Sequence, residues 1–527
     1  MISCGAADSA ENEGDGHHSL PALPDCIAVI SVTDFGSGGY VVVDAQNRKC
    51  GREVGTRAWD LYDDLQYGRL QVAEDGTIAI QREENGEVYI YQNGVESIIP
   101  APVEYFFLGE SGNVIIYGKS DLDAARWDVS GGESRNISDK MRAVRISGDG
   151  AIVSLFDEDY WYLSVNGNEP QKCPGEVFIS GQYIYGIYSI WGSTCDTELY
   201  TFSGEWRKIM DWSTEDFSYL DIVAHNAEQG EILFGYIPQE AYYYYSCRDG
   251  ENVPTHISSG NESLMSLDKF AYYYAVMDWK WRKTGSYLMY TVPEGYISDS
   301  VPDNLYCMVR DDMAENDGFS IVRLDENMEL TEVISDVNSN VFRSQDGRKL
   351  WCISGTQIAC YDMSARKPEV QYCKEPCGMD TFDEESGLTI AKPFAATSDG
   401  SKVCFIGVDG TLWMCTPDTL ERPKAVGITG AAEVYCSAED EFFVLCRETE
   451  GRPGDLYKVK RDGECIKEYS GVVDVCITKS NLYILAENEN ASLASEGYHE
   501  LYVREGTEYR LLQTQVDRIV PLYSKYY

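Results

Sequence analysis

The strongest constraint on this chain is a turn that keeps returning. In "AATSDGSKVCFIGVDGTLWMCTPDTLERPKAVGI", Ala395 to Ile428, a short apolar run leads into Ser398-Asp399-Gly400 and a second run follows. Asp409-Gly410 then interrupts, and a third and a fourth run complete the stretch. The same arrangement surrounds Asp346-Gly347, Asp149-Gly150 and Asp75-Gly76. Asp-Gly supplies the positive φ that tight hairpin turns require. Runs of about four to eight residues rich in β-branched and aromatic side chains are strand chemistry. No segment keeps a helical period over three turns.

Looser copies start near Val103, Glu176, Tyr219, Glu262, Ala431 and Val472. Most lie about 35 to 45 residues apart, and four strands at that spacing are the mark of propeller blades. The fold class expected is therefore all-β: a β-propeller of four-stranded blades, about ten or eleven units in one ring or two. A sandwich rarely carries so many similar units, and solenoid coils are shorter. Three runs near Ile27–Val32, Tyr40–Asp44 and Cys50–Val54 stand at one end of the chain and "DRIVPLYS" at the other. A C-terminal strand that completes an N-terminal blade would remove exposed edges. The division expected is a flexible acidic tether over 1–24 and propeller repeats over 25–260 and 261–527. An irregular insertion or junction covers 269–317. The S-x-D-G-x-x-apolar element resembles the TolB-like family of propeller repeats, clearly in four repeats; the resemblance implies architecture only. Sialidase Asp boxes differ, having a residue between Asp and Gly.

Composition agrees with strands: Tyr is unusually common, 38 against 16 Phe and 10 Trp, and aromatics pack well on a pleated surface. The formal net charge is −44, from 87 acidic and 43 basic residues. A field of that sign repels phosphate backbones, so nucleic acid and a bare anionic membrane are excluded as expected partners. No apolar run reaches the length of about 18 residues that a membrane-spanning helix needs.

Met1-Ile2-Ser3-Cys4-Gly5 resembles the end of a bacterial lipoprotein signal, with Met1 in the place of the aliphatic residue. The resemblance implies lipidation of Cys4 and the outer face of the cell membrane; the polar, acidic stretch that follows has tether composition. The competing expectation is a cytosolic tail. His17 and His18 fall in this stretch and are read as passive. The 17 cysteines leave at least one unpaired. Cys352 and Cys360, Cys404 and Cys415, and Cys436 and Cys446 lie on successive strands, which offers either cross-strand bridges or small buried hydrophobes. "CKEPC", Cys373 to Cys377, has no second metal-binding pair after it, so no metal is expected.

Catalytic constellations are missing from the sequence. There is no Gly-x-Ser-x-Gly elbow, and His225, His256 and His499 read as solvated turn or strand-end residues. Asp157, Glu158 and Asp159 fit a hairpin loop, and Asp121, Asp123 and Asp128 lack the spacing of a calcium loop. No phosphate-cradling loop and no cofactor motif occurs. The aromatic cluster is more informative: Tyr243, Tyr245, Tyr273, Trp279, Trp281 and Arg282 concentrate stacking surface and positive charge within forty residues. Alternation along a strand keeps four consecutive tyrosines from all being core. These residues are the candidate ligand-binding set, with inter-blade packing as the competing account.

The leading functional expectation is a non-enzymatic, lipid-anchored cell-surface propeller that binds a peptide, protein or glycan. The first alternative is a carboxylate-based glycoside hydrolase or lyase working in a propeller channel. The second is a cytosolic interaction scaffold. Fold alone does not choose among them.

Overall fold

The computed structural model describes residues 25–523 except 34–35, 55–60, 62–63, 66, 83–85, 101, 181–182, 192–194, 215–218, 227–230, 238–241, 249–254, 261, 267–297, 300–304, 312–318, 325–329, 338–340, 364, 366–367, 379–381, 384–387, 390–392, 448–451 and 489–497. The described chain is an all-β propeller built from antiparallel four-stranded blades, eleven of them. Blade 2 shows the plan: Leu70–Val72, Ile78–Gln81, Val88–Gln92 and Val95–Ile99, each strand paired with the next. Blades 3 to 7 begin at Tyr105, Arg142, Glu176, Tyr219 and Glu262, and blades 8 to 10 at Phe342, Phe394 and Ala431. The long strand Cys465–Ile477 serves two blades: its first half pairs with Gly454–Val459 and its second half with Leu482–Glu487. Blade 11 starts in that second half. The strand Glu508–Leu522 is likewise divided, between His499–Glu505 of blade 11 and Cys26–Thr33 of blade 1. Blade 1 thus joins the two ends of the chain, with Val520 opposite Ala28 and Ile519 opposite Val29.

Burial explains the apolar runs. Ile27 and Val29 pack against Tyr483, Leu485 and Leu501 of blade 11, while Cys26, Ala28 and Ile30 pack against Leu70, Ile78 and Ile80 of blade 2. Alternate side chains point to opposite faces, and here both faces are covered by a neighbour. An inner strand therefore reads as continuously apolar instead of alternating. Fourth strands behave differently: Glu133–Ser138 and Gln171–Lys172 are largely exposed, as outer edges should be. Such interfaces follow one another without a gap from blade 7 through the joined termini to blade 5.

The repeated turn has one construction. In blade 4, Gly150 has φ +65°, the Ser147 hydroxyl donates to Asp149 Oδ1 at 2.6 Å, and Ala151 N–H donates to the same oxygen at 2.9 Å. Ser344 and Asp346 repeat this in blade 8, and Thr397 and Asp399 in blade 9. The turn residue after the Ser or Thr also reaches the next blade: Gln345 N–H donates to Ser398 O at 2.7 Å, and Ser398 N–H to Asp440 Oδ1 at 2.6 Å. In blades 2 and 3, Glu74 N–H donates to Glu110 O at 2.8 Å. Because strands alternate in direction, these turns gather on one face of the propeller. The second-to-third-strand turns and the links between blades gather on the other, called here the crossover face.

Candidate functional site

The first strands carry polar side chains into an otherwise apolar stack, and most of these side chains tie one blade to the next. Gln71 donates to Phe106 O at 2.9 Å and accepts from Leu108 N–H at 2.7 Å. The Tyr105 hydroxyl donates to Asp123 O at 2.6 Å and accepts from Ala143 N–H at 2.7 Å. Burial pushes the Tyr105 phenol up to about 12, so it stays a neutral donor. Arg447 pairs with Glu433 at 3.0 Å and donates to Val473 O of blade 11 at 2.7 Å; the Tyr435 hydroxyl donates to the other oxygen of Glu433. This Glu433 cluster is closed to solvent.

One cluster is both fixed and open. Arg142 and Arg145 lie on the first strand of blade 4, Arg142–Ile146, and Glu176 opens the first strand of blade 5, Glu176–Ser180. Arg142 and Glu176 therefore both stand at the crossover face. Arg145 NH1 donates to Val177 O at 2.8 Å and NH2 to Glu176 Oε1 at 3.0 Å. Its guanidinium carbon lies 4.3 Å from the centre of the Phe178 ring and 6.0 Å from that of Trp161. With a side chain only 19% exposed, Arg145 is a fixed brace; Glu176, at 43%, presents its carboxylate to water. Arg142, 44% exposed, stands over the Tyr105 ring at 5.5 Å with Asp121 3.8 Å away. Tyr160, on the second-to-third-strand turn of blade 4, is half exposed, with Lys172 Nζ 3.0 Å from its ring centre. In a chain of net charge −44, blade 4 carries two guanidiniums and an ammonium, with the Asp121 carboxylate beside Arg142 and the Glu176 carboxylate beside Arg145. Such a surface can hold an acidic ligand and place one carboxylate against it.

The sequence-derived candidates fall elsewhere. Tyr243 and Tyr245 lie on Tyr242–Arg248 of blade 6, opposite Tyr236 and Phe234. Tyr273, Trp279, Trp281, Arg282 and Cys4 lie outside the described residues. Asp157 accepts hydrogen bonds from Asp159 N–H, Tyr160 N–H and the Tyr162 hydroxyl, and Asp123 accepts from Lys119 N–H, Ser120 N–H and the Ser120 hydroxyl. Both carboxylates hold their own loops together. Asp128 pairs with Arg126 and Arg135. Among the described residues, no group of His, Cys, Asp and Glu side chains is arranged to hold a metal ion. Register also decides between the two accounts of the hairpin cysteines. Cys352 faces Ala359 while Cys360 faces Trp351, and Cys404 faces Met414 while Cys415 faces Val403. Within each pair the thiols point to opposite sides of the sheet, so no bridge forms within the hairpin. In the third hairpin Cys436 faces Phe442 and Cys446 faces Ala431, at opposite ends. Sequence reasoning passed over Arg145 and Glu176 as a pair because they are 31 positions apart. The one usable sign was the position of Glu176 at a repeat start.

No family model matches the chain, and no curated protein matches it in sequence. Among solved structures it is similar to an oligogalacturonate lyase in complex with manganese, at 12% identity and a TM-score of 0.30, over 76% of this chain and 99% of that one. An oligogalacturonate lyase from Vibrio parahaemolyticus is similar at 12% identity and a TM-score of 0.30, over 77% and 97%. A dipeptidyl peptidase 4 from Porphyromonas gingivalis is similar at 12% identity and a TM-score of 0.34, over 88% of this chain and 62% of that one. At these scores the likenesses carry no argument for a particular activity. The two oligogalacturonate lyases carry the name of the enzyme alternative, against the expectation of a non-enzymatic binding propeller.

Proposed function

We propose that the chain is a carboxylate-based enzyme that acts on an acidic polysaccharide at the crossover face of blades 3 to 5, as a lyase. The observation that carries the reading is the pairing of Arg145 with Glu176: a carboxylate braced from behind and open in front. Elimination from a uronic acid needs a base for the proton beside the sugar carboxylate and a cation to neutralise that carboxylate as charge develops. Glu176 has the place of the base and Arg142 that of the cation. The ring proton goes to Glu176, its electron pair forms the new double bond, and the glycosidic oxygen leaves with the electrons of its carbon–oxygen bond and takes a proton from water. A hydrolase needs two free carboxyl groups about 5 to 10 Å apart. The neighbouring acids Asp123 and Asp157 are committed to their own loops, and Asp121 is paired with Arg142. The lyases named above share this class of chemistry, but the proposal rests on the residues.

Two finer statements belong to the same proposal. The repeats are TolB-like, supported by the shared Ser/Thr-x-Asp-Gly turn of blades 4, 8 and 9. The protein works outside the cell, held by a lipid on Cys4, supported by the Ile2-Ser3-Cys4-Gly5 string alone. Mass spectrometry of protein from its own cell, showing a mature chain that begins at a diacylated Cys4, checks the anchor; an unmodified Cys4 refutes it.

The activity is tested by incubating the protein with acidic and neutral polysaccharides while following both reducing ends and the ultraviolet absorbance of a ring double bond. The proposal predicts that both signals rise together on an acidic polymer only. Reducing ends without the double bond would make the enzyme a hydrolase, and no product from any acidic polymer would sink the reading.

A further inference from the structure

A second feature, independent of the crossover face, lies between blades 8 and 9. The outer strand of blade 8, Val370–Pro376, is largely open to solvent, and Cys373 is its one buried side chain. It points into the core shared with blade 9, where Cys415 ends the strand Leu412–Cys415. Cys373 is 0% and Cys415 2% exposed. The backbones are tied at the same place: Lys374 N–H donates to Leu420 O at 3.1 Å, one residue after the first thiol and five after the second. Gln357 Nε2 holds the Cys373 carbonyl at 2.7 Å, and Cys377 bridges to Gly407 of blade 9. Both are free thiols within one apolar core. Hydrogen bonding with Cys415 holds the Cys373 thiol below the usual thiol range against the effect of burial, while the same interaction and burial push the Cys415 thiol up.

We infer that Cys373 and Cys415 form a disulfide that staples blade 8 to blade 9 when the chain folds in an oxidising compartment. A metal is not the better account, since the described residues offer no third ligand there. Burial of both sulfurs sets the timing: the bond forms while the two blades are still closing. The oxidant is the disulfide of a thiol oxidoreductase or of a small disulfide such as oxidised glutathione. The Cys373 thiolate attacks one sulfur of that disulfide and releases the other as a thiolate. Cys415 then loses its proton and displaces the oxidant from Cys373. Two electrons and two protons end on the oxidant, which leaves as two thiols, and one sulfur–sulfur bond remains in the protein. The bond closes a long loop, which restricts the unfolded chain.

The test refolds the full chain with and without an oxidised and reduced glutathione mixture, blocks free thiols, and maps unreduced peptides by mass spectrometry. The expected result is a Cys373–Cys415 peptide pair in the oxidised sample, with a melting temperature several degrees above that of the reduced sample. Cys373→Ser and Cys415→Ser should each abolish that oxidation-dependent rise, whereas Cys446→Ser should keep it. Recovery of both thiols blocked in an oxidised sample that melts cooperatively overturns the inference. So does pairing of Cys373 with Cys377 or Cys360. The mapping uses the unaltered chain, so it decides even where a variant fails to fold.

Discussion

Tyr105 joins three pieces of chain through one oxygen: its ring stands below Arg142, and its hydroxyl links Asp123 O to Ala143 N–H. Tyr105→Phe should cost about 1–3 kcal/mol, the range for leaving buried partners unsatisfied. Chemical denaturation would read it, and a change under a few tenths would show that water replaces the hydroxyl. The turn aspartates make a pH prediction. For Asp149, Asp346 and Asp399, partial burial alone would raise the carboxyl, but the hydroxyl and N–H donors around each outweigh it and hold all three low. A depressed folded value means stability that is complete above the ordinary carboxylate range and lost as pH falls through the folded value. Replacing all three by Asn should therefore flatten the acid limb of the stability–pH curve and leave the neutral-pH slope unchanged. An acid limb as steep as the wild type's would remove these turns from the account. Residue identity was readable for these positions because Asp-Gly has a local conformational reason. It was not readable for Glu176, whose role depends on Arg145 of another blade.

At the scale of elements, the four-strand repeat was legible because each strand carries its own apolar run and each Asp-Gly pair its own turn. The strands begin at Glu176, Tyr219, Glu262 and Ala431, where the loose copies were placed, and at Tyr105 near the copy at Val103. What lay beyond the sequence was how blades lock. Between blades 10 and 11, Arg504 donates to Glu468 at 3.1 Å and to Glu441 at 3.2 Å, Lys458 pairs with Glu441, and the ring of Phe443 lies 5.1 Å from the guanidinium. These residues come from four strands or their ends, and no spacing along the chain joins them. Breaking such a network leaves a buried charge uncompensated, which costs about 3–5 kcal/mol. Arg504→Met should fall near that range, and adding Glu468→Gln should recover part of the loss. Equal melting of Arg504→Met and wild type would show that the network is solvated.

For the whole molecule, the joining of the chain ends in blade 1 carries a sharp prediction. The second half of Glu508–Leu522 supplies the inner strand of that blade, and Val516, Ile519 and Val520 are buried in its interfaces. Removing residues 515–527 should leave Cys26–Thr33 without a partner on one edge and abolish cooperative unfolding. A truncated chain that melts as the full one does would contradict the closure. Charge gives a second prediction at this scale. A net charge of −44 repels an acidic polymer at long range, while the half-exposed Arg142 attracts it locally. Screening acts first on the long-range part, with a Debye length of about 8 Å at physiological salt. KM for an acidic substrate should therefore fall as salt rises from low to physiological strength; a steady rise would place the substrate elsewhere. The central claim is that Glu176 is the base of an elimination, and one comparison addresses it directly. Wild type, Glu176→Gln and Glu433→Gln are assayed on the same acidic oligosaccharide by the absorbance of the new double bond, with folding verified for each by its melt. The account predicts that Glu176→Gln loses at least about 100-fold in kcat, the lower end of what a general base contributes, while Glu433→Gln, in a closed structural cluster, keeps the wild-type rate per folded molecule. A Glu176→Gln protein that is folded and as fast as wild type would contradict it.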